Sequence, residues 1–173
     1  MSKYIHFSGT KVKAIYSQEQ GDEPHFKPYG FWFSDESDFG WSEWCKGEDF
    51  HLGNLKYQSQ ITISDKANIL YIRNGKQLEK FTKDYQKLPS GMKEAYEKSG
   101  FGLELGSMWI DWKKVAKKYQ GIVITPYLWK YRMDINIEWY YPWDCASGCI
   151  WDKDAIESIK LLSSVKLREK ELA

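Results

Sequence analysis

Residues 27–45, KPYGFWFSDESDFGWSEWC, set three tryptophans and three phenylalanines among carboxylates and glycines. A loop facing water needs no such rings, so they either fill a core or wall a site that grips something flat. GFWFS has the alternation of a strand, with Phe31 and Phe33 on one face and Trp32 on the other. The chain then leaves through DESDFG, and Trp41 and Trp44, three apart, take neighbouring positions on a helical turn. Two roles stay open for each ring: covering a sheet or lining a ligand site.

On either side of this stretch, short aromatic or β-branched runs alternate with Gly, Pro, Asn and Asp, the mark of strands joined by turns. The runs predict strands at Tyr4 to Ser8, Tyr29 to Ser34, Gln60 to Ser64 and Ile69 to Ile72. The turn residues DKAN between the last two predict a hairpin. Helical spacing follows: Leu78, Phe81, Tyr85 and Leu88 share a face of KQLEKFTKDYQKL, which Pro89 ends. A second helix reads in DWKKVAKKYQG, with Asp111 as its cap, Trp112, Val115, Ala116 and Tyr119 as its buried stripe and Gly121 at its close. GIVITPY, DINIEWYY and SGCIWD read as further strands. Ile156, Ile159 and Leu162 read as one side of a last helix ending in the solvated KLREKELA. The pattern predicts a mixed α+β chain, with residues 1–173 as a single domain, a length at which one continuous core is the rule.

Lys and Arg number 25 and Asp and Glu 24, a formal charge of +1, so no long-range field favours phosphate polymers or anionic membranes. No apolar run approaches the roughly 18 residues of a membrane span, and MSKYIHFSGT lacks the apolar core of a secretion signal. Cys45, Cys145 and Cys149 are too few, and of the wrong parity, for a disulfide framework. These features predict a cytoplasmic protein with free thiols and no membrane partner.

Metal chemistry is disfavoured, because His6, His25 and His51 are scattered and Cys145-x-x-x-Cys149 lacks the spacing and second pair of a zinc module. No nucleophile elbow, P-loop or HExxH motif occurs, and SGFGLELG, with GxGxxxG spacing and no clear strand before it, reads as a loop. YIHFSGT is more informative. It places His6 at the end of an apolar strand, followed by small polar residues and a glycine that lets a ligand approach the backbone. A lone histidine is usually a satisfied structural residue, and His6 gains meaning only beside the tryptophan-rich stretch.

Together these blocks resemble the ADP-ribosyltransferase fold family, in the histidine-type branch that includes bacterial and phage mono-ADP-ribosyltransferases and the poly-ADP-ribose polymerases. YIHFSGT resembles the family's opening strand, which ends in His-Gly-Thr/Ser; Phe7 and Ser8 intervene here before Gly9. GFWFSDESDFGWSEWC is similar to the block that forms the nicotinamide wall, with Trp in place of Tyr. YQGIVITP and SGCIWDKDAIESI are similar to the family's later strand and closing block. The resemblance implies split antiparallel β-sheets flanked by helices and NAD as co-substrate, with no metal. His6 would hold a ribose hydroxyl, while Ser8, Gly9 and Thr10 grip the nicotinamide amide. Trp32 with Trp41 or Trp44 would sandwich the ring, at about 0.5–2 kcal/mol for each cation–π contact, and Ser34 or Ser42 would bind the carboxamide. The family's catalytic glutamate falls on Ser147, a serine, so Asp144 becomes the candidate carboxylate, with Glu138 a more distant one.

The implied function is transfer of ADP-ribose to an intracellular macromolecule, protein or nucleic acid, by a toxin or phage-encoded host-modifying enzyme, with an antitoxin as a partner. The missing glutamate supports the competing expectation, a non-catalytic module that keeps the aromatic cleft for a nucleotide or peptide. Trp129, Trp139, Tyr140 and Trp143 are either rings that stack on unpaired bases or inward-packed aromatics.

Overall fold

The computed structural model describes residues 3–99 and 109–164. Seven strands form one sheet: β1 (Tyr4–Ser8), β2 (Phe31–Asp35), β3 (Tyr57–Ile63), β4 (Ile69–Ile72), β5 (Gly121–Ile124), β6 (Ser147–Ile150) and β7 (Ile156–Ser164). Their spatial order is β4-β5-β6-β2-β1-β3-β7. Neighbours run antiparallel except β4 and β5, whose parallel pairing requires a crossover, and α2 (Gly75–Tyr85) and α4 (Trp112–Ala116) lie within it. The helices α1 (Trp41–Gly47) and α3 (Met92–Ser99) complete the described α-helices. The architecture is α+β.

Split sheets were the expectation; the described strands instead make one continuous ladder, narrowed at its centre. β1 and β2 pair only through Tyr4↔Asp35 and Ile5↔Ser34. Beyond that point β1 continues against β3, from Ile5↔Gln60 to Ser8↔Tyr57, and β2 continues against β6, from Phe31↔Ile150 to Ser34↔Ser147. The two central strands therefore part after two pairs.

Each face of the sheet carries its own core. On one face Ile72, Ile122 and Ile124 meet Leu78 and Phe81 of α2 and Trp112 and Val115 of α4. On the other, Phe33, Ile61, Val123 and Ile150 cluster with Ile156 and Ile159. The alternation read in GFWFS is present: Phe31 and Phe33 pack with the second cluster and Trp32 with the first. Local signals set the helices as well. Asn74 and Asp111 cap α2 and α4 by accepting from Gln77 N and Lys114 N.

Three expectations are corrected. β3 and β4 form no hairpin, because DKAN carries the chain from beside β7 to the opposite edge, where β4 pairs with β5. Residues Ile135–Tyr140 form 3-10 turns kinked at Ile137 rather than a strand, with Asp134 accepting from Asn136 N. Consecutive Trp139 and Tyr140 both enter the first cluster, which a strand, alternating its faces, does not allow. Residues 156–164 form β7 rather than a helix. Ile63 pairs with Ile156 but Thr62 with Ser158, so Glu157 is an extra residue that brings Ile156 and Ile159 onto one face. This bulge produces the helix-like spacing of three. KLREKELA and residues 100–106 of the SGFGLELG loop lie outside the described residues.

Gly148 pairs with Phe33 across β6 and β2, and a Cβ there would meet Phe33 Cζ at 2.5 Å and the Ile122 carbonyl oxygen at 2.9 Å. Gly148→Ala is expected to lower stability by about 1–3 kcal/mol through overpacking. Chemical denaturation of the two proteins measures this, and equal midpoints would contradict the packing described.

Candidate functional site

The parting of β1 and β2 opens a cleft of about 480 Å³, within the range of small-molecule sites. Most of its wall comes from three separated parts of the chain. His6, Ser8 and Gly9 line it from β1, Trp32, Ser34 and Trp41 from β2 and α1, and Asp144, Cys145 and Ser147 from the entry to β6. Lys27 and Asn54 also line it.

His6 ties the strands together where their backbones no longer meet. Its Nδ1 lies 2.7 Å from the Trp32 carbonyl oxygen, which can only accept, so Nδ1 carries the proton and Nε2 keeps a lone pair. The ring is held flat against Phe31, with centroids 4.3 Å apart and planes 27° apart. Burial pulls the imidazole below its ordinary pKa of 6.5, opposed in part by the bond to Trp32. It is neutral at pH 7.

The indoles occupy different depths. Trp41 lines the cleft and Trp44 stacks behind it, with centroids 4.9 Å and planes 14° apart, and Phe50 abuts both edge-on. Trp32 has its edge packed against the fully buried Trp143, with centroids 4.9 Å apart. Trp139, Tyr140 and Trp143 are core residues, whereas Trp129 is 56% exposed.

Glu36 organises the two serines. Ser34 Oγ donates to its Oε1 at 2.5 Å and Ser42 Oγ donates to its Oε2. Gly40 makes this possible, since a Cβ there would collide with the carboxylate. With its proton directed at Glu36, Ser34 is left with lone pairs to accept from an N–H in the cleft. Ser147 Oγ donates to the Cys145 carbonyl oxygen at 3.0 Å.

Asp144 stands in a field of two cations. Burial raises its pKa above the ordinary carboxylate value, and Lys27 and then Arg132 oppose the rise; the Arg132 guanidinium lies 3.8 Å away. Lys27 places its ammonium 5.0 Å from the Trp32 ring centroid. Burial lowers its pKa and Asp144 opposes that shift. Burial pushes the Cys145 thiol up to about 12, which leaves it protonated and unreactive.

Of the residues singled out in sequence, His6, Ser8, Gly9, Trp32, Ser34, Trp41, Asp144 and Ser147 meet in this cleft. Thr10, Ser42 and Trp44 stand outside its lining: the Thr10 carbonyl accepts from Ser8 Oγ at 2.7 Å, Ser42 serves Glu36, and Trp44 backs Trp41. Glu138 lies outside it too. Sequence reasoning missed Lys27 and Glu36, whose roles come from folded contacts rather than from any motif. Among the described residues no group of three or more His, Cys, Asp or Glu is placed to hold a metal ion, and no helix is long and apolar enough to cross a membrane. The three cysteines are free and buried.

Comparison of the chain with protein-family models, with curated proteins and with solved structures finds no match.

A neutral His6 has a stability consequence. With its folded pKa below 6.5, the unfolded chain binds more protons near and below that pH, so stability contributed by the neutral ring is present above pH 6.5 and is lost as pH falls toward the lowered folded value. His6→Asn is expected to flatten the fall in stability between pH 7 and pH 5 relative to wild type. Denaturation midpoints across that range measure it; parallel profiles for the two proteins would contradict a neutral imidazole that donates to the Trp32 carbonyl.

Proposed function

We propose that the chain is an NAD-dependent ADP-ribosyltransferase acting on a macromolecule, protein or nucleic acid. The observation that carries this reading is the convergence of a positioned histidine, a cleft-lining indole, a serine acceptor and a half-buried carboxylate from three separated segments. The same group was expected from the resemblance to histidine-type transferases.

In this reading the nicotinamide ring lies against Trp41, whose position is fixed from behind by Trp44. The carboxamide N–H bonds to Ser34, already oriented as an acceptor by Glu36. His6 Nε2 accepts from a ribose hydroxyl. The bond between the pyridinium nitrogen and ribose C1′ breaks, its electron pair passing to nicotinamide, which leaves neutral. The ribose becomes oxocarbenium-like, and Asp144 provides the negative charge beside it. A nucleophile of the acceptor then bonds to C1′ and gives up its proton to solvent. Ser147 is the poorer candidate for a catalytic role, because its hydroxyl is engaged by Cys145.

A second reading, a non-catalytic nucleotide-binding cleft, is favoured by the neutralisation of Asp144 by Lys27 and Arg132. A cytoplasmic toxin or phage host-modifying role, with an antitoxin as partner, belongs to the transferase reading.

The two readings separate on turnover. Incubation with NAD and candidate acceptors (RNA, DNA or cell extract) is expected to release nicotinamide. Asp144→Asn is expected to reduce the rate by about two orders of magnitude, the usual scale for losing one transition-state electrostatic group. Tight NAD binding without release in the wild type would favour the second reading. Equal rates in wild type and Asp144→Asn would remove Asp144 from the chemistry.

A further inference from the structure

The segment before β2 is built to hold a cation over the cleft. Gln20, itself 8% exposed, clamps Tyr29 from both sides: its Nε2 donates to the Tyr29 carbonyl oxygen at 2.7 Å and its Oε1 accepts from Tyr29 N at 2.9 Å. Pro28 is buried and disfavours helical backbone at Lys27. A fixed backbone therefore delivers Lys27 to the cleft wall, where its ammonium rests 5.0 Å from the Trp32 ring centroid. Among the described residues no carboxylate lies within ion-pair distance of that ammonium, and it donates no hydrogen bond. Asp144, its nearest source of opposite charge, is already engaged by Arg132 at 3.8 Å. Glu36 and Glu48 add further carboxylate charge around Asp144 and Cys145, so what sets Lys27 apart is an ammonium with no ion-pair partner of its own among the described residues rather than a surplus of charge.

A pyridinium ring and an ammonium cannot share one face of Trp32, since both are positive and both draw on the same ring quadrupole. Trp41 has no cation over its ring among the described contacts, so its face is free of a competing ammonium. The two indoles therefore divide the cleft into an end suited to a cation and an end suited to an anion.

We propose that Lys27 is the phosphate anchor of the cleft: it rests on Trp32 when the cleft is empty and moves onto the diphosphate of a bound dinucleotide, leaving Trp41 to hold the nicotinamide. This inference rests on the reading of the cleft as an NAD site and names the residue that selects the ligand's anionic half. It makes Lys27 a binding and positioning residue, with no bond made or broken at its nitrogen.

Calorimetric titration of the full chain with ADP-ribose and, separately, with nicotinamide tests it. Lys27→Met is expected to weaken ADP-ribose binding about tenfold or more, as loss of a charge-assisted bond does, while nicotinamide binds at least as well as to wild type. Lys27→Arg, which keeps the charge, is expected to stay within about threefold for ADP-ribose. Equal ADP-ribose affinity in Lys27→Met and wild type, or no ADP-ribose binding by the wild type, overturns the anchor. So does a parallel loss of nicotinamide binding, which would mark a distorted cleft. Binding of a short oligonucleotide that depends on Lys27 while ADP-ribose does not would also overturn it, in favour of an acceptor phosphate. Lys27-dependent ADP-ribose binding without NAD cleavage would uphold the anchor and remove the transferase reaction; NAD cleavage with Lys27-independent ADP-ribose binding would do the reverse.

Discussion

The cleft depends on one hydrogen bond, from His6 Nδ1 to the Trp32 carbonyl oxygen. Two strands at the centre of a sheet ordinarily satisfy each other's backbone groups along their length, and a gap there exposes donors and acceptors that must find other partners. β1 and β2 stop pairing after Ile5 and Ser34. The His6 side chain then spans the opening, fixing the separation of the strands and the tautomer of its own ring at once. A longer β1–β2 ladder would close the cleft, and loss of the tie would leave its two walls free to shift. The flanking pairs with β3 and β6 keep the opening local by holding each central strand from its outer side.

The walls follow from that frame. β2 alternates, so Phe33 goes to one core while Trp32 turns to the other face, packed against Trp143 and beneath the Lys27 ammonium. The turn after β2 brings Glu36 back between Ser34 and Ser42, setting the hydrogen-bond polarity of a hydroxyl in the cleft. The entry to β6 brings Asp144 to the same space, and the register Ser34↔Ser147 places the two serines opposite each other across β2 and β6. Aromatic surface, one oriented imidazole and an ammonium without an ion-pair partner among the described residues thus meet where two strands diverge.

Much of this was legible in the sequence where the signal is local. β1 and β4 fall where their apolar runs lie, α2 follows its stripe of Leu78, Phe81 and Tyr85, and Asp111 caps α4. The cleft residues His6, Trp32 and Trp41 were legible in the YIHFSGT and tryptophan-rich blocks, and Asp144 only as the carboxylate nearest in sequence to Ser147. What failed depended on distant partners. β7 imitates helical spacing because a bulge at Glu157 realigns its isoleucines, a fact that exists only in its pairing with β3. The 3-10 segment 135–140 is imposed by burial of adjacent rings in one cluster. Lys27 and Glu36 carry no motif, since each acquires its role from side chains that meet it only after folding. The choice between Trp41 and Trp44 was likewise beyond the sequence, as both stand three apart on a short helix and only the folded cleft shows that Trp41 lines it while Trp44 stacks on Trp41.

The central claim is that a pyridinium riboside occupies the space between the parted strands. The chain has nine tryptophans, and indole N–H resonances in an NMR titration with NAD report on each separately. The account predicts that the Trp32 and Trp41 resonances move together on binding, with those of the buried Trp112 and Trp139 unchanged. Movement confined to the exposed Trp129, or no movement at any indole, would contradict it.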